Sequence, residues 1–261
     1  MSLVRCAVLA TGLCVGDTRP NVRIVVVSDL HADWMTLGVR RHPEVRKAFN
    51  QAVDAAIDEK ADVFLCLGDV ADPDSGGDAF HAMQMILHAT LRLRRHRVRS
   101  VWIAGNHDVW EDGTGATTLT PLTPLDDDVF DGWYATASHV HVVELPRLVW
   151  LSDVHALLCL PFVAASHGVD IAQAARDLWP KTLLGGVGHA PKVIVASHLT
   201  VPGVVVGEET NEMPRGREVL YPFEETTRAV LRLQGHYHAR QTFDPGDGGP
   251  PSPGSNVWRA W

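Results

Sequence analysis

Aspartate, asparagine and histidine residues follow several short apolar runs of this sequence, at the points where strands would end. Asp29 and His31 come directly after a run of β-branched residues, and His198 follows a second such run. Alternate residues of an extended segment project to the same side, so an Asp-x-His or His-x-His pair can serve one site. Five blocks of this kind occur in order: Asp29-Leu30-His31, Gly68-Asp69, Gly105-Asn106-His107-Asp108, His198 and Gly235-His236-Tyr237-His238.

The donor types in these blocks indicate metal chemistry. Carboxylate and amide oxygens combined with imidazole nitrogens suit Mn²⁺, Fe or Zn²⁺. A single carboxylate between two ions can bridge them, and two ions about 3.5–4 Å apart form a clamp for in-line displacement at phosphorus. Glycines precede Asp69, Asn106 and His236, and they allow the chain to turn sharply out of a strand.

Composition limits the class of protein. The chain has 261 residues, 46% of them hydrophobic, with 14 histidines and a formal charge of −8. This length and apolar content suit one large α/β domain, and no apolar run is long enough for a membrane span. The acidity argues against broad nonspecific binding of duplex nucleic acid. Two divalent ions would add +4 to −8 and leave about −4, so an anionic substrate remains compatible with the charge.

Cysteine usage and the N-terminus bear on localisation. The four cysteines form no CxxC pair, so we expect no disulfide framework and a reducing, cytoplasmic location. Residues 1–16 contain one arginine and a short apolar stretch that also resembles a weak secretory signal. We therefore divide the chain into a leader or extra strand (1–21), one domain (22–243) and an irregular tail rich in glycine and proline (244–261).

The hydrophobic pattern predicts the elements that position the blocks. Residues 22–28, 62–67 and 100–104 are predicted strands, separated by amphipathic helices over 43–60 and 78–97, which implies a parallel sheet. We then expect three short antiparallel strands, a helix and further strands: 139–145, 148–151, 156–162, 171–179 (helix), 192–197, 218–221 and 229–233. Ligands of open α/β sheets bind beyond the carboxyl ends of strands, so the five blocks should share one rim. The long loops 111–132 and 200–217 are expected to form its walls.

The ordered set D-x-H, GDxxD, GNHD, H and GHxH resembles the calcineurin-like metallophosphoesterases. The resemblance implies an α/β (α+β) fold, a four-layer αββα sandwich of two mixed sheets flanked by helices. It also implies that one ion is held by Asp29, His31, Asp69 and His238, and that the other is held by Asp69, Asn106, His198 and His236. On the same basis, hydroxide between the ions attacks phosphorus, His107 stabilises or protonates the leaving oxygen, and Asp108 orients the His107 ring.

Shorter segments resemble the SbcD-like DNA repair exonucleases within that superfamily. They are Leu160-Pro161-Phe162, Gln241 and Pro253-Gly254-Ser255. This resemblance implies a Mn²⁺-dependent phosphodiesterase or nuclease acting on DNA, with Fe or Zn²⁺ as alternative metals. The chain stops soon after the last segment, so we expect no stable SbcC-type ATPase partner.

Two other functions stay open from the residues alone. A phosphatase or phosphodiesterase of a small molecule such as a nucleotide would need the same metal blocks. A noncatalytic binding scaffold is disfavoured, because a scaffold would have no need of a complete ligand set together with His107.

Overall fold

The fold is known from a computed structural model. It describes residues 7–10, 22–32, 35–71, 79–109, 122, 125, 139–163, 167–181, 190–201, 220–236 and 258–260. In chain order the elements are β1 (Ala7–Ala10), β2 (Arg23–Val27), β3 (Met35–Thr36), β4 (Val39–Arg40), α1 (His42–Asp58), β5 (Val63–Cys66), α2 (Ala79–Arg95), β6 (Arg99–Ile103), β7 (Val140–Val143), β8 (Arg147–Trp150), β9 (His155–Leu160), α3 (Ile171–Leu178), β10 (Lys192–Ser197), a 3₁₀ turn (Glu224–Thr226), β11 (Leu231–Gln234) and β12 (Trp258–Ala260).

Two five-stranded sheets form the centre of the molecule. The first has the order β1-β2-β5-β6-β7, in which only β1 runs antiparallel to its neighbour. The second has the order β12-β11-β10-β9-β8, in which only β8 is antiparallel. The predicted strand–helix–strand–helix–strand order of the first 105 residues, with its parallel sheet, is confirmed.

The side chains of each strand alternate between two apolar layers. In β2, Val25 and Val27 pack under α1 and α2, whereas Ile24 and Val26 face the second sheet. A third apolar cluster lies between the second sheet and α3 and includes Trp179. The chain therefore forms the predicted four layers, helix–sheet–sheet–helix.

Helix α1 shows how the sequence determines one of these layers. Pro43 occupies the first turn, where its missing N–H costs no hydrogen bond. Residues spaced three or four apart then point inward, and they are Val45, Phe49, Ala52, Val53 and Ala56. This stripe covers one face of the first sheet, and the opposite face of the helix is left to solvent.

The prediction for the middle of the chain was wrong in one respect. The three strands from residue 139 to residue 162 were expected to form one antiparallel group. Instead β7 pairs parallel with β6 in the first sheet, while β8 pairs antiparallel with β9 in the second. The three residues between β7 and β8 therefore cross from one sheet to the other, because both strands lie at sheet edges and the sandwich is open there.

Other expectations differ in detail. Of the strand predicted over 218–221, the described part contributes a single bridge between Thr200 and Leu220. β12 lies inside the stretch predicted as an irregular tail, and that prediction did not include it. β1 lies inside the segment predicted as a leader or extra strand. None of the described helices combines the length and the apolar character that a membrane-spanning segment needs.

Candidate metal centre

The blocks that follow β2 and β5 are joined by backbone hydrogen bonds beyond the strand ends. The N–H of Asp29 donates to Gly68 O at 3.0 Å, and the N–H of His31 donates to Asp69 O at 3.0 Å. A third bond, from Ala32 N to Val70 O, is 2.9 Å long. Backbone hydrogen bonds between the two segments thus continue past the strand ends, and they fix the two blocks against each other.

Several residues of these blocks adopt a left-handed backbone. Among the described residues, seven that are not glycine have positive φ, and four of them are predicted ligands: Asp29 (52°), His31 (40°), Asp69 (52°) and His236 (80°). Such conformations cost on the order of 1 kcal/mol each and concentrate at functional sites. The left-handed backbone at four predicted ligands therefore supports these blocks as a candidate functional site.

Asp69 lies at the centre of the site and is buried. Its Oδ2 is 3.1 Å from His198 Nε2 and 3.8 Å from His31 Nε2, and its Oδ1 accepts the backbone N–H of His107 at 3.0 Å. Two groups of candidate ligands share this carboxylate. One group is His31, Asp69 and His107, the other is Asp69, His198 and His236, and the ligand atoms within each lie within 4.8 Å of one another.

Charge and burial shift the pKa values of Asp69 and His198 in opposite directions. Burial alone would raise the pKa of the Asp69 carboxyl, but the adjacent His198, with His31 and His107, holds it well below its usual range. Burial would likewise lower the pKa of His198, yet the Asp69 carboxylate raises it to about 9. Without a metal ion, the protonated imidazole therefore provides the positive charge that this carboxylate needs.

His198 is held in an orientation suited to metal binding. Its Nδ1 lies 2.6 Å from Leu67 O, so this nitrogen carries a proton in either charge state of the ring and donates a hydrogen bond to the carbonyl. Its Nε2 faces Asp69 and lies 3.1 Å from Asn106 Oδ1. A backbone carbonyl that fixes one ring nitrogen while the other points at acidic oxygens is typical of metal-ligating histidines. The donor set around Asp69 therefore fits divalent metal ions.

Asp29 connects the first and last blocks of the chain. Its Oδ1 accepts the backbone N–H of His236 at 3.0 Å, and its Oδ2 accepts the hydroxyl of Ser28. The ring of His236 lies edge-on to that of His198, with centroids 5.1 Å apart. The structure thus brings together Asp29, His31, Asp69, Asn106, His107, His198 and His236 of the predicted site.

Asp108 joins the loops of two blocks through its side chain. Its buried carboxylate accepts N–H bonds from Val70 at 2.9 Å, Ala71 at 3.3 Å and Gly105 at 3.0 Å. Within the described part of the chain, its hydrogen bonds go to backbone and not to the His107 ring. Burial, followed by the charge of Asp69, raises the pKa of Asp108 to about 7. Asp108 therefore connects the second and third blocks and fixes their loops.

Three glycines leave room for these contacts. A Cβ on Gly105 would lie 2.1 Å from Asp69 Oδ1, and one on Gly68 would lie 2.5 Å from His198 Nδ1. A Cβ on Gly235 would meet Leu67 O and Ser28 Oγ, both at 2.5 Å. Any larger residue at these positions would displace a candidate ligand or its support.

Gln234 is a buried residue of the site that the sequence patterns missed. Its Oε1 accepts the Ser197 hydroxyl, and its Nε2 donates to Leu199 O at 2.5 Å and to Gly235 O at 3.0 Å. One amide thus connects the residues on both sides of His198 with the residue before His236. The only signal for it in the sequence is its place directly before the last block.

Some predicted features lie outside the described residues. They include His238, Gln241, Pro253-Gly254-Ser255 and most of the two loops expected to form the walls.

The sequence profile of the calcineurin-like phosphoesterases matches residues 22–240, which is most of the chain. The chain belongs to that family. As a calcineurin-like phosphoesterase, it is a metal-dependent hydrolase of phosphoesters by family, and a binuclear metal centre is expected in it. The groups that share Asp69 are the candidate ligands for that centre.

Solved structures with a similar fold include two phosphatases. A dimetal phosphatase from Danio rerio has a TM-score of 0.50 at 11% identity, with 91% of this phosphoesterase and 86% of that chain covered. A purple acid phosphatase from yellow lupin (Lupinus luteus) seeds has a TM-score of 0.56 at 10% identity, with 92% and 43% covered. This phosphoesterase therefore spans less than half of the lupin protein. No curated protein sequence matches it.

Proposed function

We propose that this chain hydrolyses phosphodiesters, with DNA as the substrate class, by means of two divalent metal ions. The observation that supports the proposal is the buried Asp69 carboxylate shared by two groups of ligands. Asp29, His31, Asp69 and His238 would hold one ion. Asp69, Asn106, His198 and His236 would hold the other, and Mn²⁺ is the metal we propose for both. When bound, such ions acidify water and neutralise charge on the phosphate oxygens.

His107 is the group we assign to the leaving oxygen. Its side chain is only partly buried, unlike those of His31 and His198, so it can reach a bound phosphoester. The ring stands edge-on against His31 with centroids 5.0 Å apart, and the backbone N–H is fixed on Asp69. A partly exposed imidazole held in this way can donate a proton to a departing alkoxide. Asp108 supports it indirectly, because its carboxylate fixes the loop that carries it.

A second candidate is the hydrolysis of a small phosphoester such as a nucleotide. The formal charge of −8 favours it, because an acidic protein gains little from the long-range attraction that draws proteins to duplex DNA. The two candidates use the same metal chemistry and differ in the surface next to the site.

The core of the proposal is tested with bis(p-nitrophenyl) phosphate and Mn²⁺. We expect hydrolysis by the wild type, complete loss in Asp69→Ala together with loss of bound metal, and a fall of about 10²–10⁴-fold in kcat for His107→Asn. The His107 variant should keep two metal ions per chain, whereas loss of one ion would make this histidine a ligand. His96→Asn, an exposed histidine in a turn, is the matched control. Full activity of Asp69→Ala would overturn the site.

The substrate class is tested with linear single-stranded DNA, linear duplex DNA and nucleotides under the same metal. Cleavage of DNA with a kcat/KM above that of nucleotides supports the nuclease proposal. Hydrolysis of nucleotides with no cleavage of DNA would replace it with the second candidate.

A further inference from the structure

A groove between α1 and α2 is lined by six residues of polar type and one methionine. The lining residues of α1 lie one turn apart, and those of α2 face them: His42, Arg46 and Asn50 on one side, and His81, Gln84, Met85 and His88 on the other. The enclosed part of the groove is small, about 20 Å³, and the buried Met85 is one of its lining residues. The hydrophobic stripes of both helices pack on the first sheet, so the core does not account for this second, polar face.

The charge of this groove is positive. Arg46 makes no ion pair with any residue that the structure describes, although its helix carries acids. Glu44 interacts with Arg41 at 3.9 Å, and Asp54 interacts with Arg92 on α2. The other polar lining residues are histidines and amides, all of which can donate hydrogen bonds. This set suits an anion with several acceptor oxygens, and a phosphate group has that character.

The groove begins beside the metal centre. Both helices start at the edge of the first sheet where β2 and β5 end, so their positive dipole ends are near the site. The His42 ring contacts Ala32 O through Nδ1 at 3.1 Å, and Ala32 directly follows the candidate ligand His31. The rings of His42 and His81 are 5.0 Å apart at the mouth of the groove. From there to Asn50 the groove extends about 12 Å along α1, at 1.5 Å per residue.

We propose that this groove binds a phosphate group of the substrate other than the one that is hydrolysed, with Arg46 as its principal cation. The proposal deepens the proposed function and rests on it, since it makes the substrate a polynucleotide strand that leaves the metal centre along the two helices. Free phosphate or a nucleotide offers the same chemistry, so the experiment separates these sources.

The test compares Arg46→Gln with Lys47→Gln. Lys47 is the next residue of α1, is exposed, and does not line the groove, so its variant removes the same charge from the same helix turn. With Mn²⁺, we expect Arg46→Gln to leave hydrolysis of bis(p-nitrophenyl) phosphate unchanged within about twofold, since that substrate has no second phosphate. With a single-stranded oligodeoxynucleotide, KM should rise about five- to tenfold, and the salt dependence of log KM should weaken by about one charge. Lys47→Gln should change KM less than twofold.

A second measurement keeps this inference separate from the catalytic proposal. Binding of a fluorescent oligodeoxynucleotide to the full chain in EDTA is followed by anisotropy, where no cleavage is needed. A selective loss of affinity in Arg46→Gln supports the groove even if no phosphoester is hydrolysed. Equal losses in the two variants, or no loss in either, overturn it. Inorganic phosphate is titrated in parallel while the ring signals of His88 are followed by NMR. If His88 responds to phosphate but Arg46→Gln does not affect oligonucleotide binding, the proposal that the groove binds a polynucleotide strand is overturned. The groove would then be a site for free phosphate.

Discussion

Gly105→Ala isolates the steric basis of the metal centre. Gly105 lies directly before Asn106, and its backbone does not adopt a positive φ, so alanine is not excluded by conformation. The obstacle is the Cβ, which would lie 2.1 Å from Asp69 Oδ1 and 2.4 Å from Asp69 N. Ordinary contact begins near 3.4 Å, so the carboxylate would have to move by 3.4 − 2.1 = 1.3 Å or the loop by a similar amount.

The size of the expected effect follows from this distance. A misplacement of about 1 Å in catalytic geometry can cost about 10²-fold in rate. We therefore expect kcat/KM for bis(p-nitrophenyl) phosphate to fall at least about 100-fold in Gly105→Ala. Forcing an extra methyl group into a packed site costs about 1–3 kcal/mol of unfolding free energy. Urea denaturation in EDTA measures that cost separately from metal binding.

Gly168→Ala provides the matched control. Gly168 has a φ of 61°, and no atom lies within 4 Å of the point that a Cβ would occupy, so alanine there meets backbone strain without a steric clash. We expect it to lose about 1 kcal/mol of stability and to keep its activity. If Gly105→Ala kept more than a third of wild-type activity, or if both variants lost activity equally, the steric explanation would be refuted.

Two further predictions concern the supports of the ligands. Gln234→Leu leaves three buried partners of the amide without hydrogen bonds, so unfolding free energy in EDTA should fall by about 3–5 kcal/mol and metal affinity should fall with it. The control is Thr226→Val, which removes a buried hydrogen bond to Pro222 O away from the site. It should lower the free energy of unfolding by about 1 kcal/mol and leave metal affinity unchanged. A loss under about 1 kcal/mol in Gln234→Leu would contradict the role given to this amide. Metal binding at pH 7.5 should release about one proton from His198, because Asp69 raises its pKa to about 9 against the effect of burial and a ligating imidazole must be neutral. Calorimetry in buffers of different ionisation enthalpy measures this proton release, which should vanish by pH 10. In the metal-free protein, the stabilisation from the Asp69–His198 pair is complete below pH 6.5 and is lost as pH rises through about 9.

The fold was predictable where the hydrophobic pattern of a segment determines which face it buries and strands that follow one another in sequence are neighbours in the sheet. The β-branched run of β2 and the helical stripe of α1 each require burial on a known face, so the parallel first half followed from periodicity. β7 was not predictable in this way. Its sequence is compatible with either sheet, and the choice depends on which edge is open after residue 139, which only the assembled sandwich determines.

For the site, the sequence indicated which residues gather but not how they are held. Position after a strand was enough to bring Asp29, Asp69 and His198 to one rim. The left-handed backbone of Asp69 was not foreseeable, because the residue is not a glycine and the surrounding contacts impose the conformation. The contacts of Asp108 were hidden for a similar reason, since two of its three partners are backbone N–H groups of a loop 37 and 38 residues away.

The backbone hydrogen bonds beyond the ends of β2 and β5 bear on how this protein would handle its metals. The amides of Asp29, His31 and Ala32 are buried and donate to Gly68 O, Asp69 O and Val70 O. Their hydrogen exchange should therefore require the two segments to separate. When an ion dissociates, the ligands on these segments keep their positions. A different metal ion could therefore bind without refolding of the site. Which ion occupies the site in a cell would then be governed by supply as much as by the protein.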